Sequence, residues 1–218
     1  MTLPPAAVQR QLKHRRQIDV QVFSRGHGLW EVDAVLTDTK TRVAEMADGP
    51  RQPGTPIHDM LLRLVVNEKL DILEAGSQTR WMPYNGICDD HDDAYGALVG
   101  MNLLQNFRHT MRQKLGGVLG CTHLTELAQT LPTAVVQAFA GEVIDTRGTA
   151  EGAKQPFQID RCHALRSDGE IVRLHHPRWY RAAAGVPAAT SPIAVAVAVA
   201  VAVTDTNTVH RPPSKEPP

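Results

Sequence analysis

The chain has 218 residues, and its 23 Lys and Arg side chains balance 23 Asp and Glu, for a formal net charge of zero. A balanced surface carries no global field for nucleic acid or an anionic membrane, and no uninterrupted apolar run reaches the ~20 residues that span a bilayer, so neither partner is expected. Three cysteines are odd in number and too few for a disulfide framework. That low cysteine count points to a reducing cytoplasm, and the polar, basic opening of the sequence does not read as a secretory n-region and h-region.

Residues 1–16 read as a flexible tail: Pro4 and Pro5 oppose early structure, and Lys13, His14, Arg15 and Arg16 form a solvated basic cluster. Ile18, Val20 and Val22 alternate with polar residues, Ser24 to Gly28 supplies turn chemistry, and Trp30, Val32, Ala34 and Leu36 resume the alternation. That is a β-hairpin with one buried face. Residues 37–56 hold three prolines and two glycines, a loop with a short edge strand around Arg42 to Met46. Ile57 to Val66 is apolar enough for a central strand, Asn67-Glu68-Lys69 turns the chain, and Leu70 to Gln78 returns as its partner.

Residues 81–88 form a loop. Asp89, Asp90, His91, Asp92 and Asp93 then precede an apolar pattern (Ala94, Ala97, Leu98, Met101) that suits a helix, its acidic first turn favourable for the dipole. Asn106 to Leu115 is a second helical stretch. Gly116, Gly117 and Gly120 lead to Cys121, after which Leu124, Leu127, Ala128, Leu131 and Val135 make one apolar helical stripe that Pro132 should kink or split. Residues 157–174 resemble a last hairpin turning at Ser167-Asp168-Gly169, and His175 and His176 are surface residues beside it. From residue 182 a low-complexity, disordered tail is expected, with Ala and Val alternating from 194 to 203. The predicted architecture is a single α+β domain over 17–181, a mostly antiparallel sheet with helices packed on one face.

The chemistry gathers at cysteines beside second ligands: Cys88 before Asp89, Cys121 two residues before His123, Cys162 before His163, with His58-Asp59 a further pair. Thiolate, imidazole and carboxylate suit zinc or iron rather than magnesium or calcium. A thiol opening a helix sees the positive end of the dipole and unpaired N–H groups, so Cys121 is the foremost candidate as nucleophile or ligand. Against this stand plainer roles: Cys88 and Cys162 as small buried hydrophobes, His91 and His123 as surface residues, and Asp59 as a carboxylate bonded to backbone.

The segments 28–40, 56–66, 86–101, 115–127 and 162–180 together resemble the bacterial family called domain of unknown function 2889, over about residues 10–181. The order Asp59, Cys88, Cys121 is also similar, more distantly, to the U-type iron–sulfur cluster assembly scaffolds. That similarity implies a labile cluster or zinc held by Asp59, Cys88 and Cys121 at one end of the sheet. The scaffolds' first cysteine falls at Ile57, so His58 or His123 would have to supply the fourth ligand. Protein partners follow from a scaffold's task. Two alternatives from other classes are an enzyme with Cys121 as nucleophile, His123, His58 or His163 as base and glycine N–H groups as oxyanion donors, and a non-catalytic partner-binding domain.

Overall fold

The computed structural model describes residues 3–148 and 152–182, so the Ala/Val run at 194–203 lies outside the described residues. The chain divides into two compact units, Met1–Ile144 and Asp145–Pro218.

The first unit is built on an antiparallel sheet of β1 (His14–Gly26), β2 (Leu29–Lys40), β5 (Pro56–Asn67) and β6 (Ile72–Trp81), in that spatial order. A separate hairpin of β3 (Ala44–Met46) and β4 (Gly49–Arg51) fills the proline-rich connection. The first strand begins at His14, three residues inside the stretch expected to be a tail. Its register pairs His14 with Lys40 and Arg16 with Asp38, and backbone pairing of that length orders a basic segment that composition alone leaves free.

Alternation decides which face becomes the core. Trp30, Val32, Ala34 and Leu36 on β2 and Met60, Leu62, Leu64 and Val66 on β5 are all buried. The β1–β2 turn passes through Gly26, His27 and Gly28, all at positive φ, a backbone that two glycines adopt without steric cost. Between β5 and β6, the Asn67 side chain accepts from the N–H groups of Lys69 and Asp71, closing the turn locally.

Helices cover the core face. α1 (Phe107–Leu115) buries Phe107, Met111 and Leu115, and α2 (Thr122–Phe139) buries Leu124, Leu127, Ala128, Leu131, Val135 and Phe139. α2 lies against β1, β2 and β5, and its Phe139 ring meets Trp30 with centroids 4.9 Å apart. Each such buried side chain contributes about 1.5–3 kcal/mol of apolar transfer. That is enough to hold α2 as one 18-residue helix through Pro132, so of the kink or split expected at the proline, the split does not occur.

The acidic run meets a different fate from the one its composition suggests. Asp92 opens a 3-10 helix, Asp92–Leu98, rather than an α-helix. Its carboxylate accepts from the Thr79 N–H and hydroxyl, both at 2.7 Å, while its carbonyl accepts from Ser77 Oγ. The edge of β6 is thus capped by side chain.

The same 3-10 helix carries Tyr95, fully buried. Its hydroxyl donates to the Cys121 carbonyl at 2.9 Å and accepts from the Cys121 N–H at 3.1 Å, so one phenol anchors the residue that opens α2. Gly120 is needed beside it: a Cβ there would lie 2.6 Å from the Leu115 carbonyl oxygen and 3.3 Å from the Tyr95 hydroxyl.

In the second unit the expected hairpin over 157–174 is absent. Among the described residues from 152 to 182 the chain makes turns, a 3-10 turn at His163–Leu165, the short α3 (Glu170–His175) and a final 3-10 turn at Pro177–Trp179. Asp160 sits at φ 62, its carboxylate accepting from the Ser167 N–H. Glu170 pairs with Arg173 one helical turn on. These local bonds outweigh a short alternation that has no partner strand.

Replacing Tyr95 with phenylalanine is expected to cost about 1–2 kcal/mol, because the Cys121 N–H and C=O lose their shared partner. Urea unfolding followed by circular dichroism measures it, and a change within about 0.3 kcal/mol would mean that the hydroxyl does not secure this end of α2.

Candidate metal centre

The core-facing row of β2 runs Trp30, Val32, Ala34, Leu36, and its next member is a carboxylate, Asp38, only 2% exposed. Register places Arg16 of β1 opposite Asp38 on one side and His58 of β5 opposite it on the other. Three adjacent strands therefore bring polar side chains, arginine, aspartate and histidine, together at one end of the core-facing side. α2 begins above them, bringing His123 in its first turn and Glu126 three residues later.

Asp38 is the hub. The Arg16 fork donates to it twice, Nε to Oδ1 at 2.9 Å and Nη2 to Oδ2 at 2.7 Å. His58 Nδ1 lies 3.0 Å and His123 Nε2 4.0 Å from the same Oδ2, and His14 Nε2 is 3.1 Å from Oδ1. The third Arg16 nitrogen, Nη1, reaches Glu126 at 2.6 Å. The His58 and His123 rings stack with centroids 3.9 Å apart. Among the described residues, Asp38, His58 and His123 form a group of potential ligands whose donor atoms all lie within 4.8 Å of one another. Two imidazoles and a carboxylate are a donor set for a divalent transition ion. Donors at ~2.1 Å from a common ion stand roughly 3.0–3.4 Å apart; His58 Nδ1 already has that spacing to Asp38 Oδ2 at 3.0 Å, whereas His123 Nε2, at 4.0 Å, has to move inward to share an ion.

Of the residues singled out in the sequence, His58 and His123 meet at this point. Asp59 does not join them: next to His58 in the strand, it alternates to the other face, where its Oδ1 accepts from Arg80 Nε at 2.6 Å. Cys88 lies in the loop before the 3-10 helix, its N–H bonded to the Tyr84 carbonyl, outside the ligand group. Cys121 stands at the margin, its Sγ 3.8 Å from His123 Nδ1 and 3.8 Å from Met60 Sδ. His91 gives its carbonyl to the Ala94 N–H. Cys162 is exposed, and His163 opens a 3-10 turn, both in the second unit.

Sequence reasoning passed over Asp38, Arg16, His14 and Glu126. The signal was available for Asp38: it continues the Trp30-to-Leu36 alternation, so a charge falls where the pattern demands a hydrophobe.

A family model described as a protein of unknown function, DUF2889, matches residues 14–137. The chain belongs to this family. No curated protein and no solved structure matches it. The DUF2889 segment runs from the first residue of β1 almost to the end of α2 and contains the whole cluster: His14, Arg16, Asp38, His58, Cys121, His123 and Glu126.

The charges within this DUF2889 cluster are coupled. Burial pushes the Asp38 carboxyl up, but hydrogen bonds from Arg16 and His58 and the guanidinium charge more than offset it, leaving it at about 2. The same bond to Asp38 holds Arg16 above its ordinary value. His58 is lowered mainly by burial, with Asp38 partly restoring it, and His123 by burial together with His58 and Arg16. At neutral pH the pair is uncharged, the state in which an imidazole offers a lone pair to a metal.

Two histidines lowered from 6.5 take up protons less readily in the folded chain than in the unfolded one. Their contribution to stability is therefore full above pH ~6.5 and is lost as the pH falls below it, whereas that of Asp38 is lost only between pH ~4 and ~2. The urea midpoint of the metal-free protein should fall between pH 7.5 and 5.5, and the His123→Gln variant should show a shallower slope. A flat profile in the parent chain would overturn the assignment of half-buried, neutral imidazoles.

Proposed function

We propose that this chain is a metal-binding domain that holds one divalent transition ion, zinc or iron(II), through Asp38, His58 and His123. The observation that carries the reading is the convergence of these donors from β2, β5 and α2 at one end of the sheet, the carboxylate buried and the two imidazoles half-buried. Three protein ligands leave coordination positions for water or an incoming donor, the pattern of reactive and transient sites rather than sealed structural ones. A partner protein offering such a donor would take the ion away, a transient holding that the open coordination positions favour. An iron–sulfur cluster finds less support, because Asp59 is held by Arg80 and one thiol, Cys121, borders the group.

A second reading rests on a different observation. Cys121 Sγ, His123 and Asp38 stand in sequence, at 3.8 Å from Sγ to Nδ1 and 4.0 Å from Nε2 to Oδ2. This is a loose form of the nucleophile–base–orienter arrangement of cysteine enzymes. Rapid alkylation of metal-free protein at Cys121, abolished in His123→Ala, would favour it.

The test of the metal reading is anaerobic purification with metal analysis, then titration with Zn²⁺, Co²⁺ and Fe²⁺. About one ion per chain is expected, with Asp38→Asn, His58→Ala and His123→Ala each losing at least about tenfold in affinity and Asp59→Asn and Cys88→Ala changing it little. Binding lost in the Asp59 and Cys88 variants, with an absorption band of bound iron and sulfide, would instead establish the cluster. No ion bound by the parent chain, either as purified or on titration, would refute both.

A further inference from the structure

The ligand group contains its own competitor. Arg16 occupies both oxygens of Asp38, and its Nη2 lies 2.7 Å from the same Oδ2 that faces His58 and His123. A divalent cation on that oxygen would stand beside a guanidinium held at full charge by the carboxylate it shares, in a site where Asp38 is almost wholly removed from water. Like charges at that separation, beside a carboxylate withdrawn from water, repel more than they would in bulk solvent. Arg16 must therefore loosen its fork when an ion binds.

The structure supplies the place for it to go. Arg16 Nη1 already meets Glu126 Oε2 at 2.6 Å, and Glu126 is half exposed at the surface of α2, one turn beyond the ligand His123. Arg16 itself is about one-third exposed, so its head can move outward without crossing the core. His14, on the same end of β1, approaches Oδ1 rather than Oδ2.

We propose that Arg16 is an exchangeable internal counter-ion: it blocks the metal site by holding Asp38 and is handed to Glu126 when the ion binds. This deepens the metal-binding reading and rests on it. Arg16 and the ion compete for one carboxylate, so affinity is set by a residue that ligates nothing. Release then depends on the ease with which Arg16 returns.

Titration of the full chain with Zn²⁺ and Co²⁺, alongside thermal unfolding to verify the fold, tests the proposal. Arg16→Gln is expected to bind about tenfold more tightly than the parent, and Glu126→Gln about threefold more weakly, because Arg16 loses its alternative partner. In the Arg16→Gln, Glu126→Gln double variant the effect of the Glu126 change should vanish. Unchanged or weaker binding by a folded Arg16→Gln protein, or a Glu126 effect of the same size in both backgrounds, would overturn it. Should Arg16→Gln fail to fold, the Glu126→Gln comparison and Arg16→Lys, which keeps the charge without the fork and should bind with intermediate affinity, decide alone. Absence of binding in the parent and in every variant would strike the metal reading itself, whereas binding that ignores Arg16 and Glu126 would strike this inference only.

Discussion

A carboxylate at the end of a hydrophobic row is the constraint on which the rest of this molecule depends. Asp38 occupies a position that alternation turns into the core, and a lone ionised carboxylate there would cost several kcal/mol of lost hydration. The chain offsets the cost with partners from every neighbouring element: Arg16 from β1, His58 from β5 and His123 from α2. One buried charge thus specifies strand register on both sides and the height at which the helix begins. A one-residue slip of β1 against β2 would turn Arg16 to the opposite face and leave that charge with His58 and His123 and no guanidinium.

The start of α2 is secured from a second direction. Tyr95 clamps both backbone groups of Cys121, and Gly120 gives the room for it. His123 can face Asp38 only because the first turn of the helix is placed by a phenol from a 3-10 helix, and that helix is tied to β6 through Asp92. Asp92, from the acidic run between residues 89 and 93, therefore acts at a distance on the site. It contributes a rigid tether rather than ligands.

Much of the fold was legible in the sequence. The four long strands and the antiparallel pairing followed from period-two alternation and turn residues, and α1 and the apolar stripe of α2 from helical spacing. The departures share a cause. Pro132 stays within one helix because burial on both sides of it outweighs the local break, and the stretch over 157–174 forms turns and a short helix because side-chain-to-backbone bonds settle its shape where no partner strand is present. His14 to Arg16 joins the sheet because β2 is long enough to pair with it. Each outcome turns on a partner distant in sequence or on a local bond that periodicity does not register.

By itself, the sequence determined that this is a mixed α and β chain with a half-buried sheet. It also marked His58, Cys121 and His123 as chemically capable, since periodicity and residue type are local properties. Only the tertiary structure decided which groups meet. Asp59 and His58 are neighbours in the chain and opposites across the sheet, because successive side chains of a strand alternate in direction. Asp38, His58 and His123 are far apart along the chain, and strand register together with the seating of α2 brings them within 4.8 Å of one another.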